Sequence, residues 1–267
     1  MNFAGFRPFI ADDIRASIGE KLDEIEALHD VRILFAVESG SRAWGFPSPD
    51  SDYDVRFVYA HRVDWYLSLT AGRDVIELPI SAELDISGWD IRKALNLLLK
   101  PNPVLLEWLS SPVRYRWCDE VTAKLGSLAR QIAHRGACRH HYLSLGESQW
   151  RKHVGNAAHV NFKKYFYILR PALALRWLRM HPEQLPPMNL QALVSGLDLD
   201  VVTQARIAEL LQRKMQAKEI GTGPRIGEID RLIFSEFDTA RAAAPEPVNH
   251  AHQAEATMLF REIIGVV

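Results

Sequence analysis

The sequence predicts an α+β protein: a mixed sheet with helices over residues 1–117, then a helical domain over 118–267. Two observations carry that prediction. β-Branched and alternating apolar runs cluster before residue 117, and beyond it the apolar residues recur at helical spacing. With 267 residues, 48% of them hydrophobic and 24% charged, the chain is long enough for a large core or two modest ones.

Each element has its own signal. Ile14, Ile18, Leu22, Ile25 and Leu28 lie at helical spacing behind Asp12, which reads as an N-cap, and predict a helix over 12–29. VRILFAV (31–37) reads as a buried strand and VRFVYA (55–60) as a second. A short helix starts within 61–69. Residues 74–86 hold one or two further strands, with Pro79 at an edge or bend. Helices follow at 89–99 and 103–109. Amphipathic segments then fall near 119–134, 139–153, 159–180, 200–218 and 225–240. His181-Pro182, Pro186-Pro187 and Gly221-Thr222-Gly223-Pro224 punctuate them. Residues 242–249 read as a loop before a last helix at 251–264, and no internal repeat is visible.

Composition narrows the class. The first residues, MNFAGFRPFI, lack a basic stretch followed by a long apolar one, which predicts no secretory signal. No run approaches 18 uncharged apolar residues, which predicts no membrane span. Cys118 and Cys138 are the only cysteines, a usage that fits a reducing, cytoplasmic setting. The formal net charge of -1 hides an uneven distribution: residues 1–129 carry -6, residues 130–179 carry +9 and residues 180–267 carry -4. A basic block between acidic sections predicts a local anion site.

The chemistry concentrates in VESGSRAWGFPSPDSDYDVRFVY (37–59). A strand ends, Gly40 permits close backbone approach, and Ser41 opens a turn or short helix whose N–H groups suit phosphate. Asp52 and Asp54, at i and i+2 on a strand, project from one face. Such a pair repels itself unless something positive stands beside it. Paired carboxylates suit Mg²⁺, a hard cation held by a few carboxylates together with substrate phosphates. Asp85, near the end of another strand segment, supplies a third acid for a two-metal phosphoryl site. Asp90 is the alternative third acid, although its place before a helix also makes it a natural N-cap.

Gly40-Ser41 followed at this spacing by Asp52-Tyr53-Asp54-Val55 resembles the signature of the DNA polymerase β nucleotidyltransferase superfamily. GSRAWGFPSPDSDYDVRFVY, SGWDIRKALNLLLKPNPVLLEWLSSPVRY and KKYFYILRPALALRWL are similar to predicted nucleotidyltransferases associated with RNA-repair systems, over roughly residues 37–180. The resemblance implies a nucleotidyltransferase-type N-terminal sheet and a nucleoside triphosphate (NTP) cradled by Gly40 and Ser41. It also implies two Mg²⁺ ions bound by Asp52, Asp54 and Asp85. Arg42, and Lys164 in the basic helix, are the first candidates to grip phosphates, ahead of Lys163 and Arg170.

Other readings are weaker. Asp50-Ser51-Asp52-Tyr53-Asp54 is no calcium loop, because Val55 stands where the loop needs Gly and His61 where it needs Glu. No Gly-Lys-Ser/Thr follows the turn, which excludes a P-loop, and Cys138-Arg139-His140-His141 has no second cluster at zinc spacing. The function expected is Mg²⁺-dependent transfer of a nucleoside monophosphate from an NTP to a hydroxyl acceptor, with release of pyrophosphate. The acceptor is RNA, a protein or a small molecule. The alternative is a non-catalytic nucleotide- or RNA-binding regulator on the same fold. Phe162, Phe166, Leu169, Leu173 and Trp177 predict one inward face for the 159–180 helix, leaving Arg176 and Arg179 for a long acceptor such as RNA.

Overall fold

Val55, Phe57 and Tyr59 alternate with Asp54, Arg56 and Val58, and this period of two defines the central strand of a five-stranded sheet. The structure, a computed structural model, describes residues 8–70, 72–80, 83–100, 102–132, 134–216, 221–246 and 251–266. Its contacts divide the chain into two units. A sheet unit takes Pro8–Ala43, Asp52–Ala133 and Val248–Val267; a helical unit takes Trp44–Ser51 and His134–Pro247.

In chain order the first elements are α1 (Asp12–His29), β1 (Val31–Glu38), α2 (Ser41–Trp44), β2 (Tyr53–His61), α3 (Val63–Tyr66), β3 (Val75–Glu77), β4 (Leu84–Asp90), α4 (Ile91–Leu99), α5 (Pro103–Leu109), β5 (Arg114–Trp117) and α6 (Asp119–Gln131). The strand order is β3-β4-β2-β1-β5, with β2 and β4 parallel and the other pairs antiparallel. Ile18, Leu22 and Ile25 of α1 pack on Val31, Ile33, Val55, Phe57, Tyr59 and Ile86. Ala11 rather than Asp12 occupies the cap of α1, and Asp12 and Asp13 fall in its first turn, where the helix dipole favours acids. Trp89 and Asp90 end β4 instead of starting a helix.

The helical unit contains α7 (Arg135–His153), β6 (His159–Asn161), α8 (Phe162–Met180), α9 (Leu190–Ser195), α10 (Val201–Gln216), β7 (Thr222–Pro224) and α11 (Gly227–Ala242). The expected helix end at 217–218 and loop residues 247–249 lie outside the described residues. Helix α8 is buried on every side, by Tyr165, Ile168, Ala172 and Leu175 as well as Phe162, Phe166, Leu169 and Leu173, so it is a core helix with no single inward face. Segment 44–51 is tied into this unit. Phe46 stacks on Phe166 at 4.7 Å, Gln191 Nε2 donates to the Gly45 carbonyl at 2.5 Å, and Lys214 Nζ donates to Ser48 Oγ at 2.5 Å.

The chain then returns to the sheet unit with α12 (Gln253–Ile264). Arg32, which alternates with the α1-facing Val31 and Ile33, donates through Nη2 to the Ile263 carbonyl at 2.7 Å. Helix α12 therefore lies across the sheet from α1, and helices cover both faces. Helix α6 also stays with the sheet, burying Val121, Leu125 and Leu128, so the division falls near residue 133 and not at 117/118. Among the described residues no helix is long and apolar enough to cross a membrane.

Candidate active site

Strand β1 delivers Glu38 to the start of β2, with Glu38 opposite Val55 in the antiparallel register. Just past it, the Ser39 N–H donates to the Asp54 carbonyl at 2.8 Å. Gly40 follows, and the Asp54 carboxylate leans across it: a Cβ at position 40 would lie 1.6 Å from Asp54 Oδ2. The glycine next to Ser41 is thus required by the acid, whatever it also offers to a phosphate. Ser41 and Arg42 begin the four-residue α2, and the Arg42 guanidinium stacks 3.8 Å from the centroid of the Tyr53 ring.

The parallel pairing of β2 and β4 sets Asp54 beside Asp85, on the sheet face opposite Val55 and Ile86. The sequence called for a positive group between Asp52 and Asp54; between Asp54 and Asp85 stands one, Arg56. Its Nη2 contacts Asp85 Oδ2 at 2.8 Å and Asp54 Oδ1 at 3.4 Å, while Nη1 donates to the Val55 and Asp85 carbonyls at 3.0 and 2.9 Å. Both carboxylates remain about one-third exposed. Asp54 is held above the usual carboxylate range, first by burial and then by the charges of Asp85 and Asp52, against the pull of Arg56 and Arg42. Asp52 stands exposed at the foot of β2.

Among the described residues no group of three His, Cys, Asp or Glu is already closed around a metal position. The donor chemistry nonetheless suits Mg²⁺. All donors are carboxylate oxygens, Arg56 engages one oxygen of each paired acid, and burial, with the charges of Asp85 and Asp52, still raises Asp54 despite that guanidinium.

Asp90 lies at the other end of β4, opposite Tyr59. It caps α4 by accepting from the Arg92 N–H at 2.7 Å and also accepts from the Tyr66 hydroxyl at 2.6 Å. Of the two candidates for third acid, Asp85 is the one beside Asp54.

Lys164 sits in the helical unit with Nζ 5.1 Å from the Tyr167 ring centroid. Other members of the basic block are committed. Arg170 is buried and donates through Nε to the Met188 carbonyl at 3.0 Å. Arg176 and Arg179 pair with the buried Glu236 at 3.2 and 2.9 Å.

Two residues of the site escaped the sequence reading. Arg56 was visible as the next same-face residue after Asp54. Glu38 was visible as the lone acid ending an apolar strand. It is fully buried, accepts from the Tyr115 hydroxyl at 2.5 Å and the Asp54 N–H at 2.8 Å, and is pushed up to about 7 by burial.

Comparison with known proteins identifies the family. The model of the RNA repair pathway DNA polymerase beta family, RlaP, matches residues 14–262. Uncharacterized protein YcgL of Bacillus subtilis (strain 168) is 41% identical over 233 residues, covering 87% of this chain and 89% of the relative. A crystal structure of a nucleotidyltransferase-like protein from Exiguobacterium sibiricum 255-15 aligns over 92% of this chain and 79% of its own. At 12% identity and a TM-score of 0.27, that likeness is too slight to inform fold or function.

Proposed function

The chain belongs to the RNA repair pathway DNA polymerase beta family and is a polymerase-beta-type nucleotidyltransferase, and from that premise we propose that its Asp52, Asp54 and Asp85 face transfers a nucleoside monophosphate from an NTP to a hydroxyl, with RNA as the first acceptor to test. The observation that carries the reading is the register of Asp54 against Asp85, which sets two carboxylates side by side on adjacent strands. In the reaction the acceptor oxygen bonds to the α-phosphorus, the bond from that phosphorus to the bridging oxygen breaks, and pyrophosphate leaves with that oxygen. The acceptor hydroxyl gives its proton to water.

Asp52, Asp54 and Asp85 are the residues that would hold two Mg²⁺ ions, which supply charge neutralisation at the phosphates and acidify a coordinated hydroxyl. Gly40 leaves the space that Asp54 needs, and Arg56 keeps Asp54 and Asp85 together while their charges are uncompensated. Arg42 and Lys164 are assigned to the triphosphate by charge. RNA ranks first because the family is that of an RNA repair pathway.

The test is incubation of the purified protein with each α-labelled NTP, Mg²⁺ and, separately, RNA, protein and small metabolites. Label fixed on RNA supports the proposal in full. Label on protein or metabolite moves the acceptor, and no transfer with any of them rejects the reading.

A further inference from the structure

Glu38 is fully buried at the end of β1 and fixed from several sides. Its N–H donates to the Val113 carbonyl at 3.1 Å, and its own carbonyl accepts from Ser111 Oγ at 2.6 Å. Its carboxylate splits its two oxygens: Oε2 accepts from the Tyr115 hydroxyl at 2.5 Å and Oε1 from the Asp54 N–H at 2.8 Å. With the Ser39 N–H on the Asp54 carbonyl, both backbone polar groups of Asp54 are clamped by residues 38 and 39. From that fixed backbone the Asp54 side chain lies across Gly40 and toward Arg56. A buried acid is a costly means of satisfying one backbone N–H, so its presence here calls for a gain at the residue it holds.

We propose that Glu38, braced by Tyr115, is a positioning residue for Asp54, fixing its backbone so that its carboxylate meets Asp85 at the reacting site. The inference rests on the reading of Asp54 as a metal-holding acid. It is tested with Glu38→Ala, Glu38→Gln and Tyr115→Phe, using Mn²⁺ binding followed by electron paramagnetic resonance, kcat and KM for NTP, and exchange of the Asp54 amide by NMR. Glu38→Ala should weaken Mn²⁺ binding and lower kcat by about 10–100-fold, the usual cost of removing a group that orients a ligand, with a smaller change in KM. Glu38→Gln should restore most of both, because its amide oxygen can still accept from the Asp54 N–H. Tyr115→Phe should fall between. Wild-type Mn²⁺ affinity and kcat in Glu38→Ala, or a Glu38→Gln as impaired as Glu38→Ala, would overturn the proposal. Should Glu38→Ala not fold, wild-type behaviour of Tyr115→Phe in all three measurements overturns it instead. If the wild type neither binds Mn²⁺ nor transfers nucleotide, the reading of the site fails separately. The Asp54 amide still decides the positioning: faster exchange in Glu38→Ala and native exchange in Glu38→Gln support it, and native exchange in both overturns it.

Discussion

The carboxylate of Asp54 fills the space where a side chain on Gly40 would stand, with 1.6 Å between Asp54 Oδ2 and the position of such a Cβ. Gly40 is not among the glycines with a left-handed backbone, so the contact with Asp54, not the backbone angle, is what a side chain there would disturb. Gly40→Ala should therefore displace the acid. Transfer should fall by about 100-fold or more, while stability drops by only about 1–3 kcal/mol as the overpacked strand ends shift. Steady-state kinetics with a thermal melt separates the two effects. A fully active Gly40→Ala would mean that Asp54 works from another position.

Arg56 is the counter-charge for two partly buried carboxylates, and its removal should be felt as a pH effect. In Arg56→Met the folded-state pKa of Asp54, already raised, climbs further above its unfolded value. A group raised in this way contributes stability below the unfolded pKa and loses it as pH rises through the folded one. Arg56→Met should thus match the wild type near pH 4 and be less stable by about 1–3 kcal/mol near pH 7. Melts across that range check this, and a deficit independent of pH would assign Arg56 a packing role alone.

The sequence made the strand–turn–strand frame and most of the helices legible because their apolar periods are long. It concealed β5, where Arg114 and Arg116 interrupt the apolar pattern, and the three-residue strands β6 and β7, which have too few residues to show a period. Asp54 and Asp85 were legible as acids on strands, but their pairing depends on the parallel register of β2 and β4, which no local pattern encodes. The charged face assigned to α8 misled for a tertiary reason. Arg170 reaches a buried carbonyl, and Arg176 and Arg179 meet Glu236 from a helix 57 or more residues away in sequence.

Lys164 is assigned to the triphosphate by its charge in the basic helix, while its ammonium rests near the Tyr167 ring. Lys164→Ala should raise KM for NTP several-fold with little change in melting temperature, since a partly exposed cation–π contact is worth about 0.5–1 kcal/mol. Wild-type kinetics at subsaturating NTP would remove Lys164 from nucleotide binding.

Lys214 is buried with a hydroxyl as its hydrogen-bond partner, and burial, aided by Lys163, pulls it down to about 8. A lysine depressed in this way costs the fold its full penalty below pH 8, and the penalty disappears as pH rises toward the unfolded value of about 10.4. Lys214→Met should be more stable than the wild type at pH 7, by on the order of 1–3 kcal/mol after loss of the Ser48 hydrogen bond. That advantage should shrink by pH 10.5. Denaturant titrations at the two pH values test this, and a constant difference would show that burial leaves the Lys214 ammonium as easily protonated in the fold as in the unfolded chain.

The central claim is that the Asp54 and Asp85 face transfers a nucleoside monophosphate. Its most direct test is one reaction run with NTP labelled at the α-phosphate and again at the γ-phosphate, using wild type, Asp54→Asn and Asp85→Asn. The account predicts α-label on the acceptor, γ-label in pyrophosphate in equal amount, and loss of both in folded Asp54→Asn and Asp85→Asn. Gamma-label on the acceptor or in orthophosphate, or undiminished transfer by either variant, would contradict it.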